Sequence, residues 1–563
     1  MTALCWSTQA NEPEAINEGR CRVTPPVKSL LISPRFPPTF WSYEPILELI
    51  GKKALMPPLG LITVAALLPD TWTCRLVDCN VRPVTEADWA WADIVLLSGM
   101  IVQKTHLLSL VAEAKRRHKP VVVGGPYATA LPDELREAGA DFLVLDEAEL
   151  TLPSFLEALS QGATGGTFTA AGERPALSMT PVPRFDLLDL AAYDSMSVQF
   201  SRGCPFRCEF CDIIVLYGRR PRTKEPAQVL AEMDRLHELG WRGSVFLVDD
   251  NFVGNKRAAA EMLRELVGWQ EARGVPFRFD TEASIDLAQD RELLDLMVRA
   301  DFRSVFLGLE TPDAESLERT LKPQNLRQPL EEAVGAITAA GIRVMAGFII
   351  GFDGEAPGAG ARIVSFVERT AIPVAFVSLL QALPGTALWD RLDREGRLRD
   401  APAASGNNTC LTNISPTRPL AQIGHEFVEA YERLYEPRAY LDRAWRYFLR
   451  LGAARRVERP RQAGTPSFRE VLQTLHVFAR ILWRQGVVRC TRWRFWPRLV
   501  AIVLRDRGLL VQYVTVCALN EHFLAFRQVV RRDIDAQLKA MSSAPVRSAE
   551  RAPAGIPSSP LTS

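Results

Sequence analysis

Short apolar runs recur along the first part of the chain, and each ends in a polar or glycine-rich turn. The runs 28–33, 74–78, 94–98, 120–124 and 142–146 each hold an apolar centre (30–32, 76–77, 94–97, 121–123 and 142–145), and stretches with helical spacing (61–68, 106–117, 131–138) lie between them. Runs of this kind are strands covered on both faces. Alternation with helices predicts a parallel, doubly wound α/β sheet over residues 28–160. Ligands of such sheets bind at the carboxyl ends of the strands. The turns there include Ser98-Gly99, Gly124-Gly125-Pro126 and Asp146-Glu147, where glycine lets backbone approach a bulky ligand.

A stretch rich in Gly, Thr, Ala and Pro follows, and residues 161–195 read as a linker. Strand-like runs then return at 196–200, 244–248, 277–285, 304–311, 343–352 and 373–381, giving six β units with helices such as 226–239, 256–273 and 291–300 between them. This second domain covers residues 196–417. From 418 to 541 the pattern is helical, with segments 421–435, 440–451, 467–484 and 497–503. Residues 1–27 and the Ser/Pro/Ala-rich 542–563 read as disordered ends.

Composition changes this picture little. At 563 residues the chain exceeds one ordinary domain. A net charge of +1 argues for neither nucleic acid nor an acidic partner. No apolar run approaches the roughly 18 residues of a membrane span, and the first residues lack the pattern of a secretory signal. The cysteines outside one cluster are scattered, without a disulfide rhythm, so a reducing, cytoplasmic setting is expected.

That cluster is Ser201-Arg-Gly-Cys204-Pro-Phe-Arg-Cys208-Glu-Phe-Cys211, three of the ten cysteines within eight residues after a strand-like run. Thiolates suit soft centres such as iron–sulfur clusters. Ordinary buried thiols, or a zinc site lacking its fourth ligand, are the bland alternatives. The C-x3-C-x2-C spacing of Cys204, Cys208 and Cys211 resembles the signature of the radical SAM superfamily. The resemblance implies a [4Fe–4S] cluster whose fourth iron binds S-adenosyl-L-methionine (SAM), and reductive cleavage to a 5′-deoxyadenosyl radical. It also implies a partial (β/α)6 TIM-like barrel. Within it, Asp249, Asp250 and Asn251 would lie beside the SAM amino group, Glu282 and Ser284 beside the ribose, and Glu310 beside ribose or substrate. Gly347-x-Ile-x-Gly351 resembles the family's motif beside the adenine. Asp250 and Glu310 are the candidate catalytic carboxylates; each alone could equally be a structural acid.

The preceding sheet, Rossmann-like in pattern, resembles the cobalamin (B12) binding domain of one class of radical SAM enzymes, through Pro57-Pro58-Leu59-Gly60, Gly124-Gly125-Pro126 and Asp146-Glu147-Ala-Glu149. The resemblance implies cobalamin contacts at Pro58, Gly60, Asp78, Asn80, Ser98, Gly124, Gly125 and Glu147. Asn80 stands where related B12 domains carry a histidine for cobalt. A Rossmann-like module with another ligand, or none, is the alternative.

The wording from Arg202 to Arg219, with Val248-Asp-Asp-Asn-Phe252, is similar to the branch containing hopanoid C-2 methylases. The implied activity is cobalamin-dependent C-methylation of an unactivated carbon in a small-molecule or lipid substrate, via the adenosyl radical and methylcobalamin. Flavodoxin or ferredoxin would donate electrons. A cyclase or rearrangement enzyme without methyl transfer, and a non-catalytic iron–sulfur sensor, stay open. Two further segments have two readings each. The basic run 219–224 is either a cover or anion site for the cluster or a solvated loop. The Trp- and Arg-rich stretch 492–502 is core against a neighbouring domain, or a peripheral contact at the inner face of the membrane.

Overall fold

The computed structural model describes residues 26–399, 409–453 and 468–543, so the expected disordered ends lie almost wholly outside the described residues. The first sheet comprises β1 (Lys28–Ser33), β2 (Thr73–Asp78), β3 (Ile94–Ser98), β4 (Val121–Gly124), β5 (Phe142–Val144) and β6 (Gly166–Phe168). All pairs are parallel, in the order β2-β1-β3-β4-β5-β6. The strand order reverses between β1 and β3, and a ligand crevice opens at such a switch point. Leu30, Leu31, Ile32, Val121, Val122 and Val123 are buried from both faces, hence the unbroken apolar runs. β6 lies inside the stretch read as linker. It is three residues long and starts on glycine, so its sequence carries no strand period.

The second sheet begins with β7 (Ser195–Val198). The cysteine loop follows, spanned by a ribbon of β8 (Ser201–Arg202) and β9 (Arg222–Thr223). Then come β10 (Ser244–Leu247), β11 (Arg278–Ala283), β12 (Phe302–Glu310), β13 (Arg343–Ile350) and β14 (Val374–Leu379). β7 and β10 to β14 pair in chain order, all parallel, as the expected open six-stranded barrel. Side chains alternate along each strand. Val245, Leu247, Val305, Leu307 and Val344 are buried beneath the helices, while Phe246, Glu282, Phe306 and Met345 line the lumen.

An open barrel has two edges with unpaired backbone groups. Beside β7, the amides of Lys53 and Ala54 donate to the Ala192 carbonyl at 2.8 and 3.2 Å, and the Ser195 amide donates to Leu55 at 2.9 Å. The segment between β1 and β2 thus covers that edge. Beside β14, the Tyr431 hydroxyl donates to the Val377 carbonyl at 2.8 Å and Tyr435 to Ala375 at 2.7 Å. These tyrosines belong to the helical C-terminal region, whose helices are Leu420–Leu434, Pro437–Ala453, Phe468–Trp483, Arg492–Arg505 and Leu510–Ser543.

The last helix, 34 residues long, is absent from the sequence expectation. Its apolar pattern is broken by Asn520, Glu521 and His522, all of them buried. Glu521 receives Gln485 at 2.8 Å and Arg489 at 2.9 Å, and His522 Nε2 lies 2.8 Å from the Phe40 carbonyl. The segment Arg507–Met541 is long and apolar enough to cross a membrane. Its Tyr513, Val516, Cys517, Phe523, Phe526 and Val530 are instead buried in the core.

Candidate active site between the two sheets

The carboxyl ends of both sheets open into one cleft of about 1330 Å³. Pro58, Gly60, Asp78, Asn80, Ser98, Gly124, Gly125 and Glu147 line it from the first sheet, Asp250, Glu282, Phe306 and Met345 from the barrel, and Trp41 and Tyr43 from the segment between β1 and β2.

On the first side four glycines, Gly60, Gly99, Gly124 and Gly125, bring backbone to the cleft among side chains such as Leu97, Met100 and Val144. A Cβ at Gly60 would meet no protein atom within 4 Å, so this backbone borders open cleft. Gly124 and Gly125 are demanded by packing. A Cβ would lie 2.9 Å from the Val144 carbonyl oxygen at Gly124 and 2.3 Å from Ser98 Oγ at Gly125, where φ is +87°. Such a floor suits a large flat cofactor. Asp78 and Asn80, which line the cleft, also bond within the protein. The Asn80 amide and Nδ2 donate to Asp78 Oδ1 at 2.9 and 2.7 Å, Asn80 Oδ1 accepts from the Phe36 amide at 2.9 Å, and the Tyr193 hydroxyl donates to Asp78 Oδ2 at 3.1 Å. Burial pushes the Asp78 carboxyl up. These bonds tie the loops after β1 and β2 to the barrel entrance. None of the six histidines lines the cleft, so no imidazole of this chain faces a cobalt there.

Glu147 lines the cleft and is also tied down by ion pairs. Its carboxylate receives Arg202 Nη1 and Arg222 Nη2, each at 2.7 Å, and Glu149 receives Arg202 Nη2 at 2.8 Å. All four side chains are largely buried, and Thr180 Oγ1 donates to Glu149 at 2.7 Å. Burying the charges is tolerable only because each is paired. This clamp joins the first sheet to the cysteine loop. It also divides the basic run 219–224: Arg222 and Lys224, the latter paired with the buried Glu232, point inward, while Arg219 and Arg220 are exposed. Arg202 and Arg222 flank the cysteine triplet in sequence, and that adjacency was the available signal.

On the barrel side, Asn251 Nδ2 lies 3.7 Å from Cys204 Sγ, and Gln324 Nε2 lies 3.7 Å from Cys208 Sγ. Cys208 is buried, and Cys204 and Cys211 are partly so. N–H groups aimed at sulfur favour thiolate ligands. Among the described residues no three His, Cys, Asp or Glu side chains converge on one ion position, as a zinc site requires. In an iron–sulfur cubane each thiolate binds its own iron, so the donor set fits a cluster.

The strand-end carboxylates divide. Asp249 is fully buried outside the cleft lining and accepts from the Phe200 amide at 2.8 Å and Ser201 Oγ at 2.6 Å, pinning the cysteine strand to β10. Asp250 and Glu282 do face the cleft. Burial, then the Asp249 charge, pushes Asp250 up to about 7; burial, then Asp250, pushes Glu282 up to about 8. Ser284 was expected at the ribose, but its amide and Oγ donate to Asn251 Oδ1 at 3.0 and 3.1 Å, and its Oγ also bonds Asp286. It therefore orients Asn251. Glu310 was expected to be catalytic. It sits at a left-handed φ of +62°, buried in an ion pair with Lys322. Gly347 is required because a Cβ would lie 2.8 Å from the Phe306 ring, and Gly351 because its φ is +106°. Lys322 and Gln324 lie on a turn without motif, and nothing in the sequence marks them.

Residues 52–156 match the B12 binding domain, 198–366 the Radical SAM superfamily, and 386–536 a domain of unknown function (DUF4070). The uncharacterized methyltransferase sll1242 of Synechocystis sp. is 58% identical over 91% of this chain and 94% of its own length. The hopanoid C-2 methylase of Rhodopseudomonas palustris is 34% identical over 89% of this chain and 94% of its own length. The cobalamin-dependent S-adenosylmethionine radical enzyme OxsB, with aqua-cobalamin and S-adenosylmethionine bound, shares the fold at 16% identity and a TM-score of 0.55, over 92% of this chain and 82% of that chain. The radical S-adenosylmethionine methyltransferase TsrM of Kitasatospora setae does so at 20% identity and a TM-score of 0.55, over 66% and 77%. The chain belongs to the cobalamin-dependent radical SAM methyltransferases, enzymes that use a [4Fe–4S] cluster, S-adenosyl-L-methionine and cobalamin.

Proposed function

We propose that the enzyme methylates a saturated, unactivated carbon of an apolar, hopanoid-type lipid. It would work on the cytoplasmic side, with flavodoxin or ferredoxin as electron donor. The observation that carries the substrate class is the wall of the lumen. The Trp41 ring meets Phe306 edge-on at 5.4 Å and Phe376 at 5.7 Å, with Met345 beside them. An apolar ring system gains by leaving water for such a surface. The identity to the hopanoid C-2 methylase supports the same class.

When bound, the cluster and SAM supply the radical that takes a hydrogen from the substrate, and cobalamin supplies the methyl group. The rest falls to this chain. Cys204, Cys208 and Cys211 would hold the cluster, with Asn251 and Gln324 donating N–H toward two of the sulfurs. Asp250 and Glu282 would receive the amino group and ribose hydroxyls of SAM, and the raised Glu282 carboxyl could donate a proton in that contact. The backbone at Pro58, Gly60, Gly124 and Gly125, beside Ser98, would border the corrin. The Arg202–Glu147–Arg222 clamp keeps the two faces opposed, and the aromatic wall would exclude water from the reacting carbon. Incubating the reconstituted enzyme anaerobically with SAM and a hopanoid tests the substrate class. A product heavier by one methyl group is expected; SAM cleavage with the hopanoid unchanged would refute the class.

A further inference from the structure

The helix Arg492–Arg505 is apolar on two sides. Phe495, Leu499 and Ile502 face the core. Trp493, Trp496, Val500 and Leu504, spaced by three and four residues, share the opposite face and are exposed, Trp493 by 78% and Leu504 by 82%. Trp483, 62% exposed, and Val487 and Val488 extend the surface across the turn before this helix. Of the sixteen large apolar side chains exposed among the described residues, nine fall between residues 475 and 511. A patch of this kind marks a binding surface.

Charge identifies the partner. Residues 475–511 hold eight arginines and one acidic residue, Asp506, in a chain whose net charge is only +1. Glu521 engages Arg484 and Arg489, and Asp442 engages Arg494 and Arg498, while Arg480, Arg492, Arg505 and Arg507 have no acidic partner among the described residues. Tryptophan and arginine around an aliphatic stripe match the headgroup layer of an anionic bilayer, where indole rings sit at the interface and guanidinium groups meet phosphate. Nucleic acid would satisfy the arginines but leave Val500 and Leu504 in water.

We propose that this face docks on an anionic phospholipid membrane. The helix Phe468–Trp483 packs against Glu44–Ile50, whose Glu44, Leu47 and Glu48 line the cleft, so a docked enzyme would hold its cleft near the bilayer.

Flotation of the full-length holoenzyme with phosphatidylcholine vesicles, with and without phosphatidylglycerol, tests it. The protein should float with the anionic vesicles and be released by high salt. The double variant Trp493→Ala/Leu504→Ala should float about tenfold less, while still cleaving SAM in solution as the parent does. The proposal fails if the parent stays in the soluble fraction with both vesicle types, or if the double variant floats equally well. It fails too if the substitutions abolish a dimer or a nucleic-acid complex and leave vesicle binding unchanged.

Discussion

Among the described residues no cation pairs with Glu282, although it lies in the same cleft as Asp250. Its carboxyl is raised from 4.5 to about 8, so the folded protein holds a proton that the unfolded chain releases. The stability this proton confers is present below about pH 4.5 and is lost as pH rises toward 8. His522 has the opposite sign: burial lowers it to about 4, and stability falls as pH drops from 6.5 through that value. The two are separated by Glu282→Gln. In thermal melts without SAM, the variant should gain on the parent between about pH 5.5 and about pH 8, by about 1 kcal/mol or more over the interval, and parallel pH profiles would contradict the assignment. The same strand ends show where sequence reading stops. The cysteines were legible because type and spacing together identify them. Asp249 and Asp250 were not separable, because adjacent residues leaving a strand point to opposite faces and only the fold decides which meets the cleft. Glu310 and Ser284 were legible as polar strand ends, but the partners that occupy them, Lys322 and Asn251, come from elsewhere in the chain.

At the scale of elements, the junction of the first sheet with the ribbon β8–β9 rests on Arg202, Glu147, Glu149 and Arg222. Arg202→Met would leave Glu149 and half of Glu147's contacts buried without their cation. A loss of about 3–5 kcal/mol in unfolding free energy follows, measurable by urea titration. A loss below about 1 kcal/mol, the range of an exposed pair, would mean that the clamp is solvated. Most strands were legible, since buried parallel strands announce themselves as apolar runs. β6 and the helix Leu510–Ser543 were not. The first is too short to show a period, and the second carries buried polar residues whose partners, Gln485, Arg489 and Phe40, lie far away in sequence. The face of Arg492–Arg505 expected to be core is core on one side only, because its apolar positions exceed what a single buried stripe requires.

For the whole molecule, the decisive arrangement is two parallel sheets whose carboxyl ends share one cleft. The barrel's free edges are covered by chain from either side of it, residues 53–55 from the first domain and Tyr431 and Tyr435 from the helical region. The first sheet and the barrel build the cleft, and the helical region closes the barrel beside it. That this site joins radical formation to methyl transfer is tested by an anaerobic turnover with SAM carrying a deuterated methyl group, followed by mass spectrometry. A labelled methyl group in the lipid product, in step with 5′-deoxyadenosine release, is expected, and neither product with Cys208→Ala. Release of 5′-deoxyadenosine without label in any product would contradict it.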